Sequence, residues 1–183
     1  ELWHAARRSL ELRLEAGGGH TGWSRSWVSC LFARLGDAGM AWDHLCHLIT
    51  DFATDSLLDL HPPRIFQIDG NLGGAAAVLE MLLQSYHGEL HFLPALPPPW
   101  QNGRVAGLRA RGGITVGMEW ESGKLAWASV EGCVSKSCTI AHAPLHCRIL
   151  DSAKREISFT REVHRIRFQL QQGERYRLEP LDP

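Results

Sequence analysis

The feature that most limits what this chain can fold into is a change of hydrophobic period near Gly88. Before it, apolar residues recur every three or four positions; after it, they alternate. Trp42, Leu45, Ile49 and Phe52 mark one face of a helix. A preceding helix is expected over Trp23 to Leu35, with Trp23, Trp27, Leu31 and Arg34 on one side. Gly36-Asp37-Ala38-Gly39 separates the two, as a short turn between antiparallel helices does. Leu10, Leu12 and Leu14 end a further helix before Gly17-Gly18-Gly19. A fourth is expected from about Gly74 to Tyr86. Its stretch Ala75 to Leu83 is apolar nearly all round, the pattern of a helix buried on every side.

Past Gly88, Ile114, Val116, Met118 and Trp120 alternate with Thr115, Gly117 and Glu119, which predicts a half-buried strand. Ser122-Gly123 supplies a hairpin turn into Leu125 to Val130. Ile166, Phe168 and Leu170 repeat the alternation, as do Tyr176 and Leu178. Pro94 and Pro97-Pro98-Pro99 cannot sit inside a sheet and predict a rigid crossing. The chain therefore reads as α+β in two parts, helices over residues 1–88 and a small antiparallel β-sandwich over residues 89–183.

Composition narrows the function classes. The 183 residues carry a formal net charge of -1, which argues against bulk binding to nucleic acid or to an acidic membrane surface. No apolar run approaches the roughly 18 to 20 residues that a membrane span requires. Seven tryptophans suit sugar stacking as well as core packing. The five cysteines show no CxxC spacing, so neither a disulfide framework nor a zinc ribbon is indicated; Cys30 and Cys46 are expected as buried thiols. His44 and His47 lie one helical turn apart around Cys46, without a complete ligand set. His142, His146 and Cys147 are expected at the surface or at a sheet edge. No metal and no cofactor is expected. The opening Glu1-Leu2-Trp3-His4, without an initiator Met, reads as the middle of a helix and suggests a piece of something longer.

Two stretches concentrate polar chemistry. His61-Pro62-Pro63-Arg64-Ile65-Phe66-Gln67-Ile68-Asp69-Gly70-Asn71-Leu72-Gly73-Gly74 packs His61, Gln67, Asp69 and Asn71 into a loop shaped by prolines and glycines. Such a loop can hold polar groups rigidly, as catalysis requires. A plainer reading makes Asp69 or Asn71 the cap of the following helix. The second stretch is Gly17-Gly18-Gly19-His20-Thr21-Gly22-Trp23-Ser24-Arg25-Ser26-Trp27. It lacks both G-x-G-x-x-G and the Walker lysine, so a nucleotide site is not indicated. His20 can bond a hydroxyl while Trp23 covers an apolar sugar face; alternatively, both pack under the loop. No Gly-x-Ser-x-Gly elbow is present.

Taken together, these motifs resemble glycoside hydrolase family 95. The resemblance rests on Gly19-His20-Thr21-Gly22-Trp23-Ser24-Arg25-Ser26-Trp27 with Leu31-Phe32-Ala33-Arg34-Leu35-Gly36-Asp37, and on His61-Pro62-Pro63 with Phe66-Gln67-Ile68-Asp69-Gly70-Asn71-Leu72-Gly73-Gly74. Leu93-Pro94-Ala95-Leu96-Pro97 and Gly107-Leu108-Arg109-Ala110-Arg111-Gly112-Gly113 resemble that family's junction and C-terminal β-domain. The match runs over about residues 1 to 130. It departs at Leu72, where an aromatic is common, and at Arg64-Ile65, which lengthens the loop.

The resemblance implies the last helices of an α/α toroid of six hairpins, followed by the C-terminal β-domain. It implies an inverting α-L-fucosidase acting on terminal α-1,2-linked fucose of a glycan, or a member preferring α-L-galactosides. Asp69 matches the family's water-activating Asp, which works with an Asn-x-Asn pair, and His20 matches a His of the sugar pocket. Trp23, His61, Gln67 and Asn71 become candidate sugar contacts. The general acid Glu and the Asn-x-Asn lie upstream in the family, so this stretch is expected to need the missing N-terminal part of the same protein and to be inactive alone. A non-catalytic carbohydrate-binding or structural remnant is the alternative. The resemblance implies an extracellular or periplasmic setting; the residues themselves give no compartment.

Overall fold

The computed structural model describes residues 1–181, so Asp182 and Pro183, the last two residues of the expected β-part, lie outside the described residues. By internal packing the chain forms two units. The first is Glu1–Leu82 with Pro94–Pro98; the second is Leu83–Leu93 with the chain from Pro99 onward.

The first unit holds four helices, α1 (Leu2–Glu15), α2 (Gly22–Arg34), α3 (Ala38–Phe52) and α4 (Ile68–Leu82). Thr21 caps α2 by accepting from the Ser24 amide, and Asp37 caps α3 by accepting from the Met40 amide. The core gathers Val28, Phe32, Ala33, Leu45, Leu48 and Met81, among others. Phe32 and Met81 are almost wholly out of water, and each such burial is worth about 1.5–3 kcal/mol.

Helix α2 does not turn its tryptophans inward. Trp23 and Trp27 are more than two-fifths exposed, while Ser24, Ser26, Val28, Ser29, Phe32 and Ala33 are buried. The reason is close approach, because α2 packs against both α3 and α4 and only small side chains fit there. Ser29 Oγ donates to the Ala41 carbonyl at 2.7 Å, and a Cβ on Gly73 would lie 2.2 Å from Ser26 Oγ.

Helix α4 departs from expectation in two ways. It starts at Ile68, so Asp69 and Asn71 stand inside its first turns rather than in a loop, and it ends at Leu82. Gly70, Gly73 and Gly74, which read as loop residues, instead admit Asp59, Ser26 and Leu48 against the helix backbone. Within the apolar stretch, Ala77, Met81 and Leu82 are buried while Ala75, Ala76 and Leu79 are exposed, so one side of the helix is uncovered.

Between α3 and α4 the chain forms a small hairpin, β1 (Leu60–His61) with β2 (Ile65–Phe66), around the cis Pro62–Pro63 bond. Among the described residues, the second unit holds ten strands in two five-stranded sheets. One contains β3 (Leu83–Gln84), β4 (Glu89–Phe92), β8 (Lys136–Ala141), β10 (Thr160–Glu162) and β11 (Arg165–Leu170), in the order β10-β11-β8-β4-β3. The other contains β5 (Gly103–Ala110), β6 (Ile114–Glu121), β7 (Lys124–Gly132), β9 (Cys147–Leu150) and β12 (Arg175–Pro180), in the order β5-β6-β7-β12-β9. Every ladder is antiparallel except β4–β8, whose strands are separated in sequence by three strands of the other sheet.

Alternation holds along β6, where Ile114, Val116, Met118 and Trp120 are buried, and along β11, where Ile166, Phe168 and Leu170 are. Ser122 and Gly123 join β6 to β7 with φ of 49° and 74°, the positive pair that a two-residue hairpin needs. Phe168 meets Tyr176 edge-on at 5.5 Å, joining the two sheets in one core. Cys30 and Cys46 are half-buried, whereas Cys138 and Cys147 are buried, the latter on the inward side of β9. No helix among the described residues is long and apolar enough to cross a membrane.

Candidate functional site

Both polar motifs of the first unit converge on one side chain that neither contains. Asp59 lies between α3 and β1 and is only 2% exposed. A Cβ on Gly22, the first residue of α2, would sit 1.6 Å from Asp59 Oδ1; one on Gly70, in the first turn of α4, would sit 2.1 Å from Oδ2. Two helix starts thus close on one carboxylate, two residues after His20 and one residue after Asp69. Helix N-termini carry partial positive charge, so an anion is favoured there.

Burial pushes the Asp59 carboxyl above its usual value; the backbone amides of Leu60 and Gly70 oppose that, while the charge of Asp69 adds to it. Neither Asp59 oxygen makes a well-aligned hydrogen bond among the described residues, so the amides face the carboxylate without pairing closely. The backbone of the same residue is tied more firmly. Its amide donates to Asn71 Oδ1 at 2.9 Å, its carbonyl accepts from the Gln67 amide at 3.0 Å, and Asn71 Nδ2 donates to the Leu57 carbonyl at 2.6 Å.

These bonds place the expected site residues as follows. Asp69 is the second residue of α4 and exposed, outside the capping position. Asn71 spends its carboxamide on the backbone of Leu57 and Asp59. Gln67 precedes α4 and has a buried Oε1 with no partner among the described residues. His61 donates from Nδ1 to the Pro62 carbonyl at 2.5 Å and lines a cleft of about 380 Å³ with Phe52, Leu60 and Arg64. His20 is exposed just ahead of α2, and Trp23 presents a 44% exposed indole in the first turn. An exposed carboxylate, an imidazole and an indole at one pair of helix starts can accept a proton, bond a hydroxyl and cover a sugar face.

Beneath His20 lies a pair that the sequence did not single out. Arg25 Nη1 donates to His44 Nδ1 at 2.8 Å, and a Cβ on Gly19 would lie 3.1 Å from the Arg25 guanidinium carbon. His44 therefore faces Arg25 and not His47, which pairs with Asp51 at 2.8 Å. Asp59 was missed too, although Leu57-Leu58-Asp59-Leu60 carried a signal: a lone carboxylate in an apolar run is a candidate buried charge.

Comparison with known proteins bears on this constellation. The chain matches the glycosyl hydrolase family 95 catalytic domain over residues 1–82 and the glycoside hydrolase family 95, C-terminal domain over residues 84–178. It is 42% identical over 137 residues to Alpha-L-fucosidase 2 of Arabidopsis thaliana, covering 68% of this chain and 16% of that protein. It is 37% identical over 133 residues to Probable alpha-fucosidase A of Aspergillus oryzae, covering 64% of this chain and 17% of that protein. The chain thus spans about a sixth of the length of the curated relatives it matches.

Proposed function

Because the chain belongs to glycoside hydrolase family 95, we propose that it is the C-terminal part of an inverting α-L-fucosidase. In this reading the intact enzyme releases terminal α-1,2-linked fucose from a glycan, Asp69 activates the attacking water, and His20 holds the sugar. Inversion needs a proton donor on one side of the sugar and an activated water on the other, with roughly 6.5–9.5 Å between the two groups. One carboxylate cannot serve both sides, so in this reading a carboxyl group other than Asp69 donates the proton. The water-activating step needs an accessible carboxylate on a rigid element, and Asp69 is exposed in the first turn of α4.

The observation that supports the reading is that Gly22, two residues after His20, and Gly70, one residue after Asp69, both abut the Asp59 carboxylate. The test is steady-state kinetics of the full-length enzyme on a 2'-fucosylated oligosaccharide. Asp69→Asn should lower kcat by about 10²- to 10⁴-fold with little change in KM, as loss of a general base does. His20→Ala should act mainly on KM. Near-normal turnover in Asp69→Asn overturns the assignment.

A further inference from the structure

The geometry points to Asp59 as a positioning residue of this site, a buried carboxylate clamp that sets the spacing between His20 and Asp69. The inference rests on the site reading above and adds a residue that, at 2% exposed, acts through His20 and Asp69. Two glycines in separate motifs are bare for the same reason, since a methyl group at either would fall on the Asp59 carboxylate. The clamp is also electrostatic. The starts of α2 and α4 both abut this one side chain, and two positive helix ends brought together without an anion repel each other. A negative charge between them turns that repulsion into attraction to a common point. The backbone bonds of Asp59 to Gln67 and Asn71 then lock that point to the first turn of α4, where Asp69 stands.

A clamp of this kind acts on two functions at once, because releasing it moves the sugar-holding residue and the water-activating residue together. A misplacement of about 1 Å can cost about 10²-fold in rate. In the full-length enzyme, Asp59→Asn keeps the side-chain shape and removes the charge. It should lower kcat about 10- to 100-fold and raise KM about 3- to 10-fold, whereas Asp69→Asn moves kcat alone and His20→Ala moves KM. Gly70→Ala should produce the same paired change in the natural background and add nothing further once Asp59 is Ala, because the atoms it strikes are gone. Asp59→Asn at the natural kcat and KM, beside a crippled Asp69→Asn, overturns the clamp and leaves the site reading standing. Natural turnover in Asp69→Asn instead overturns the site reading, and the clamp with it. Should Asp59→Asn fail to fold, Gly22→Ala presses the same carboxylate from the other helix, and unchanged kinetics there overturn the clamp.

Discussion

Arg25 and His44 form a directed pair in which the guanidinium donates from Nη1 to the imidazole Nδ1 at 2.8 Å. Because Arg cannot accept, the His44 proton must sit on Nε2, which is buried without a partner among the described residues. The ring stacks on Phe32 at 5.3 Å between centroids, and α2 and α3 are thereby tied beneath the His20 loop. The arrangement works only while His44 is neutral.

Acid should therefore weaken this unit. Burial first, and the Arg25 charge second, lower the His44 pKa from 6.5 to about 4. Above 6.5 the residue is neutral in folded and unfolded chains and contributes no pH dependence. As pH falls from 6.5 towards 4 the unfolded chain takes up a proton that the folded chain refuses, so stability declines across that window. In the second unit, partial burial first and the neighbouring His142 second lower half-buried His91 to about 4 as well, with the same sign. Melting temperatures measured between pH 7 and 4 should fall, and His44→Gln and His91→Gln should each flatten the slope. An unchanged slope in both variants would count against the assignment.

Gly103 faces Trp120 across the β5–β6 ladder, and a Cβ there would lie 2.2 Å from indole Cζ2. The indole cannot easily yield, since its Nε1 donates to the Trp100 carbonyl at 2.8 Å. Gly103→Ala should cost about 1–3 kcal/mol in urea unfolding, the usual range for an overfilled core. Trp120→Phe removes the clashing ring atoms, so the double variant should be more stable than the sum of the two losses predicts. Strict additivity would show that the clash is not the cause.

Much of this architecture was readable because the period change near Gly88 reports burial directly. The Ile114–Trp120 alternation places β6, and Gly123 marks the turn because it supplies one of the two positive φ values of the hairpin at no steric cost. Trp23 and Trp27 share one side of α2 as their spacing predicts, but the spacing does not say that this side is the outward one; serines face the core instead, because helix approach rewards small residues. The start of α4 was lost for a related reason: Gly70, Gly73 and Gly74 look like loop residues until the side chains they admit are known. In the candidate site, His20 and Asp69 stood out by motif, whereas Asp59 did not. Its importance comes from two glycines distant in sequence, and one chain of letters does not show which of them meet.

The exposed face of α4 leads to a solubility prediction. Ile68, Leu72, Ala75, Ala76 and Leu79 recur at helical spacing and are all exposed, Leu72 at 65%. A contiguous apolar stripe of this kind drives association when nothing covers it. The 183-residue chain expressed alone should scatter light increasingly with concentration, and Leu72→Lys with Leu79→Lys should suppress that scattering. A monodisperse monomer for the unaltered chain at high concentration would contradict the prediction.

Asn71 separates a scaffolding role from a sugar-binding one. Its carboxamide oxygen accepts from the buried Asp59 amide and its nitrogen donates to the Leu57 carbonyl, so both ends hold the segment that presents Asp59. Asn71→Ala removes both bonds and leaves the Asp59 amide unpaired, which costs about 1–3 kcal/mol for a buried donor. Asn71→Asp keeps the acceptor but sets a carboxylate oxygen against the Leu57 carbonyl and adds negative charge beside Asp59. It should therefore destabilise at least as much as Ala despite its closer shape. Denaturant unfolding of the two variants decides the order, with kinetics of the full-length enzyme alongside. A residue that only bonded the sugar would leave both midpoints unchanged and shift KM alone, so that outcome would remove Asn71 from the scaffold.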